Sequence, residues 1–123
     1  MLASCEVVAF IATANAERAR AFYAGTLGLT LVADEPVALA FDAHGVTLRI
    51  AKVDAFTPQP FTVLGWRVED IASMVESLTA RGVFFERFAG MMQDDAGIWT
   101  SPDGSRVAWF RDSDGNLLSV TGR

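Results

Sequence analysis

Arg49 is the side chain in this sequence with the most to say about chemistry. It stands in the run Val46–Val53, where Leu48 and Ile50 alternate with Thr47, Arg49 and Ala51. Successive strand residues point to opposite faces, so the apolar pair belongs under a helix and Arg49 on the other side. A guanidinium on a concave, partly apolar surface is costly unless it is paired. It can fork onto a carboxylate, phosphate or enolate of a ligand, or it can form a salt bridge within the chain.

Other candidates surround it. Phe10, Phe61, Trp66, Trp99, Trp109 and Phe110 could line an aromatic pocket, although aromatic residues at strand spacing more often fill a core. Trp99 follows Gln93-Asp94-Asp95-Ala96-Gly97, a segment that reads either as a lid offering Gln93 and Asp94 as polar contacts or as a solvated acidic loop. His44 is the only histidine and falls in a predicted turn, with no partner at readable spacing. Cys5 is the only cysteine, which excludes an internal disulfide, and it reads as a small buried residue rather than a nucleophile. Asp112-Ser113-Asp114-Gly115 is a turn and not a calcium loop, because its glycine comes too early and no glutamate closes it. No phosphate-binding glycine loop, nucleophile elbow or HExxH motif is present.

The elements that must position these residues repeat. Cys5–Ala12 predicts a strand, Asn15 a helix cap, Ala19, Phe22, Tyr23 and Leu27 a helical stripe, and Gly28 its stop. Strands over Thr30–Ala33, Val37–Asp42 and Val46–Val53 follow. Asp54–Pro60 reads as a linker. Then come a strand over Phe61–Val68, a cap at Asp70 and a helix carrying Ile71, Met74, Val75 and Leu78 up to Gly82. Strands over Val83–Phe88, Ile98–Thr100 with Arg106–Arg111, and Leu117–Thr121 close the chain. Asn15 maps onto Asp70 and Val8 onto Val63 at an offset of 55, whereas the last turns and Arg49/Ser119 map at 70. The expected fold is therefore α+β. Two βαβββ modules, 5–53 and 61–121, form a single domain whose curved mixed sheet makes a cup with helices on its convex face.

The chain has 123 residues, a net charge of −5 and a pI near 4.7. Its ten Lys and Arg are scattered, which argues against a nucleic-acid partner. No apolar run approaches the roughly 20 residues of a membrane span. The cytoplasm is the expected compartment.

Asn15–Tyr23 followed by Leu27-Gly28-Leu29, together with Phe110-Arg111-Asp112-Ser113-Asp114-Gly115-Asn116, resembles the vicinal oxygen chelate superfamily of glyoxalases, bleomycin-resistance proteins and extradiol dioxygenases. The resemblance implies a homodimer. It also implies four metal-ligand positions, which fall here on Val8, Arg49, Val63 and Ser119. Valine offers no lone pair, arginine stays protonated, and a lone serine hydroxyl does not hold a divalent ion. The expectation is a metal-free and cofactor-free protein that binds a small, partly aromatic, anionic molecule. Arg49 would anchor its charge, Phe10 and Trp99 would wall it, and Gln93, Asp94 and Ser119 would contact it. The alternatives are an enzyme using Arg49 to stabilise an oxyanion with Asp94 or His44 carrying the proton, and a scaffold with a filled cup.

Overall fold

The computed structural model describes residues 1–123 as two compact units, Met1–Thr57 and Pro58–Arg123. In the first, β1 (Val8–Thr13) leads into a helix capped by Asn15, whose side chain accepts from the Arg18 amide at 3.1 Å. The regular helix α1 (Ala16–Arg20) widens into a π-helical stretch over Ala21–Thr26, where the Leu27 amide reaches back to the Phe22 carbonyl at 2.9 Å. This geometry buries Ala19 and Tyr23, while Phe22 and Leu27 stay partly exposed. Gly28, at φ 76°, ends the helix in a conformation that costs other residues.

Strands β2 (Thr30–Asp34), β3 (Ala38–Ala43) and β4 (Val46–Lys52) complete a sheet of order β1-β4-β3-β2. β1 runs parallel to β4, and the other pairs are antiparallel. Ile11, Leu39, Phe41, Leu48 and Ile50 share one buried face, and the Tyr23 ring lies 5.9 Å from that of Phe41. The expected alternation around Arg49 is thus observed, with the helix over the Leu48/Ile50 side.

The second unit repeats the plan. β5 (Leu64–Arg67) precedes α2 (Ile71–Ala80), capped by the Asp70 carboxylate on the Ser73 amide at 3.1 Å. Strands β6 (Trp99–Thr100), β7 (Arg106–Arg111) and β8 (Leu117–Gly122) give the order β5-β8-β7-β6. Gly65 pairs with Ser119 in the same way that Phe10 pairs with Arg49, so the register read from the repeat holds in three dimensions. α2 packs over β7 and β8, burying Ile71, Val75 and Leu78.

Several expected strands are reduced: Phe61–Val68 keeps only Leu64–Arg67, the Cys5–Ala12 strand begins at Val8, and two in the second unit lose more. Val83–Phe88 is not a strand, because only Phe85 bridges to Phe110 and only the Glu86 amide donates to the Trp109 carbonyl, at 2.7 Å. The Gln93 side chain takes the Glu86 carbonyl and the Phe88 amide, both at 2.9 Å, which are groups a longer ladder would need. Ile98–Thr100 shrinks to two residues, since the Ile98 amide donates to the Asp94 carboxylate at 2.9 Å. Side-chain hydrogen bonds of this kind compete with regular pairing.

Candidate functional site

On the first sheet, register places Val8, Phe10 and Ala12 beside Thr47, Arg49 and Ala51, on the face away from Tyr23. Both faces of β1 are apolar, so it is the pairing with β4 that sets the side of Phe10. Phe10 is 64% exposed. Arg49 lies between Phe10 on β1 and Ala40 on β3, and its Nη1 donates to Glu35 Oε1 at 3.1 Å. Both partners of this ion pair are substantially solvated, which limits its worth to under about 1 kcal/mol. His44 stands exposed in the β3–β4 turn at φ 52°. Cys5, expected inside, is exposed because it precedes β1 and lies outside the sheet.

The second sheet separates its aromatic residues by face. Trp66 stacks on Phe110 with centroids 6.4 Å apart, on the side that α2 covers. Trp109 and Trp99 lie on the other side, 6.1 Å apart, and the Phe88 ring meets Trp109 edge-on at 5.5 Å. Two cross-strand rows lay out this open face. One runs Gly65–Ser119–Trp109, and the other Arg67–Thr121–Val107–Trp99. Gly65 leaves bare backbone next to Ser119. At the other end of β7, Arg111 donates from Nε to Glu86 Oε1 at 2.7 Å.

The Gln93–Gly97 segment is tightly stitched to itself. Besides its bonds to Glu86 and Phe88, the Gln93 amide donates to the Gly97 carbonyl at 2.8 Å. Asp94 Oδ1 accepts from the amides of Ala96 and Ile98, and Arg87 donates to the carbonyls of Asp94 and Asp95. The Gln93 oxygen and both hydrogens of its amide nitrogen are thereby engaged within the segment. Its effect on a ligand would come through where it holds Phe88 and Trp99, the latter bridged to Gln93 across the backbone.

Val8 and Arg49 stand diagonally across β1 and β4, and Ser119 sits on β8 with Val63 hydrogen-bonded by its amide to Leu117 at 3.0 Å. Two hydrocarbon side chains, a guanidinium and a hydroxyl do not fit a divalent ion, whatever the spacing. Nowhere do three or more His, Cys, Asp or Glu side chains gather as such an ion would require.

Three exposed carboxylates are held below the ordinary carboxylate range. The Ser101 hydroxyl and the amide of Ser105 hold Asp103 down to about 2. Lys52, at 2.6 Å, lowers Asp34, and the Ser73 amide and hydroxyl lower Asp70. None of these lies on the aromatic rows.

The sequence offered Trp99 and Trp109 among its candidate pocket residues but not Phe88, which joins them. Phe88 was legible in principle, since it keeps phase with Phe84 and Glu86 opposite the buried Val83 and Phe85.

Paired βαβββ units, each with a four-stranded mixed sheet and one helical segment, define a glyoxalase-type α+β protein. The model of the Glyoxalase/Bleomycin resistance protein/Dioxygenase superfamily matches residues 5–120, and the chain belongs to that superfamily. A superfamily member from Sphaerobacter thermophilus DSM 20745 is 25% identical, with full coverage of both chains and a TM-score of 0.77. The lactoylglutathione lyase from Agrobacterium tumefaciens shares 20% identity over 97% of this chain and 93% of its own, with a TM-score of 0.70. A glyoxalase/bleomycin resistance protein/dioxygenase from Nocardioides shares 21% over 97% and 84%, also at 0.70. The likeness to the last two concerns the fold. None of the curated proteins matches the sequence. No helix is long and apolar enough to cross a membrane.

Proposed function

We propose that this protein binds a small, partly aromatic, anionic organic molecule without a metal ion, in the manner of a bleomycin-resistance-type binding protein. The observation that carries this reading is the Trp99–Trp109–Phe88 array on the face of the second sheet opposite α2. All three rings remain partly exposed, so a flat ligand gains stacking and burial there without disturbing the core. The donor set at Val8, Arg49, Val63 and Ser119 supports a metal-free mode.

The test is a titration of tryptophan fluorescence with 2-naphthoate. Saturable quenching is expected, and Trp99→Ala and Trp109→Ala should each weaken it about tenfold. Trp66→Phe, on the covered face, should leave it unchanged. Chelator should not alter binding, and added zinc or nickel should not raise the thermal midpoint. A ligand series whose binding ignores Trp99 and Trp109, or needs a divalent ion, sinks the reading.

A further inference from the structure

Five cationic side chains stand in strands: Arg49, Lys52, Arg67, Arg106 and Arg111. Four of them have a carboxylate within 4.0 Å, and Arg67 has neither an ion pair nor a side-chain hydrogen bond. This is notable in a chain with 15 acidic and 10 basic residues, where a partner is easily had. Arg67 lines a hollow of about 580 Å³ at the end of the second sheet, together with Glu69, Ser105, Thr121, Gly122 and Arg123. Arg123 likewise lacks a carboxylate within ion-pair distance, although Asp103 lies close enough for its charge to be felt. The hollow therefore holds two guanidinium groups and two hydroxyls, and the Glu69 carboxylate pairs with neither arginine. Its base is closely packed, because a methyl group at Gly122 would come within 2.4 Å of the Val68 carbonyl oxygen.

We propose that this hollow is an oxyanion site, in which Arg67 and Arg123 supply charge and Thr121 and Ser105 supply hydroxyl donors to a carboxylate or phosphate group. Guanidinium forks match the planar or tetrahedral oxygens of such groups, and hydroxyls complete the remaining acceptor directions. The site is continuous with the aromatic face, since Arg67 and Thr121 lie in one register row with Val107 and Trp99. Three strand spacings separate the ends of that row, about 14 Å between backbones. A two-ring acid and an extended arginine side chain together bridge that gap. The ligand class is thus an aryl acid, with its ring on Trp99 and Trp109 and its anionic group at Arg67. Only the aromatic half of this assignment rests on the function proposed above. The charge anchor moves from Arg49, which is occupied by Glu35, to Arg67.

Nuclear magnetic resonance of the ¹⁵N-labelled protein tests this by following the Arg67 Nε–Hε signal and the indole signals of Trp99 and Trp109. The probes are inorganic phosphate, 2-naphthoate and the neutral 2-naphthamide. Phosphate and naphthoate should shift the Arg67 signal saturably, and naphthamide should not. Arg67→Met should weaken naphthoate about tenfold or more and leave naphthamide unchanged. Thr121→Val should give a smaller loss in the same direction, and Arg67→Lys a partial rescue. An Arg67 signal indifferent to both anions overturns the proposal, as does an undiminished preference for naphthoate in a folded Arg67→Met variant. If phosphate moves Arg67 while neither arene moves the indoles, the aromatic reading falls and the oxyanion site stands.

Discussion

Gly65 and Ser119 lie side by side on β5 and β8, and a methyl group on the first would come 2.7 Å from the Oγ of the second. Gly65→Ala should therefore force the Ser119 side chain off its rotamer, at about 1 kcal/mol. Ser119→Ala should recover most of that loss. A double-mutant cycle in urea gives the coupling directly, and additive effects would show that the two side chains do not meet.

The β3–β4 turn places both His44 and Gly45 at positive φ, 52° and 88°. Turns of this kind favour Asn-Gly, because asparagine tolerates the left-handed region better than an imidazole does. His44→Asn should raise the thermal midpoint slightly, whereas Gly45→Ala should destabilise by about 1–2 kcal/mol. A midpoint unchanged by either substitution would contradict the turn geometry.

Acid should act through Asp103, Asp34 and Asp70, whose carboxyls are all held below their ordinary values by hydrogen bonds and nearby cations. A depressed folded-state value means the unfolded chain binds protons first, so the stabilisation is complete above about pH 4 and drains as the pH falls toward 2. Asp103→Asn should flatten the lower part of that decline, since its carboxyl sits at about 2. Urea midpoints measured from pH 5 to pH 2 check the slope.

Gln93→Ala removes three hydrogen bonds that close the 86–98 segment. A loss of about 1–3 kcal/mol is expected, because the Phe88 amide and two carbonyls lose their partner. Hydrogen exchange at the Phe88 amide should quicken well before exchange in β7 or β8. Unchanged protection at Phe88 would show that Gln93 does not clasp the segment.

The repeat, the element order and the two sides of the Arg49 strand were legible in the sequence, because caps, glycine stops and strand alternation are set by neighbouring residues. Leu48 and Ile50 had to face one way and Arg49 the other. Helix α1 was readable as a helix, but its π-helical continuation over Ala21–Thr26 was not, since apolar spacing marks a helical face without fixing its pitch.

What the fold alone decided is which distant residues meet. Strand pairing turned Phe10 toward Arg49, a loop brought Glu35 to the same guanidinium, and Gln93 replaced an expected strand with a clasp. The same is true of the Trp99–Trp109–Phe88 array and of the carboxylate that never reaches Arg67. Alternation states which face a side chain takes, but register and loop path select its neighbours, and these arise from the free energy of the whole sheet rather than from any short stretch of chain.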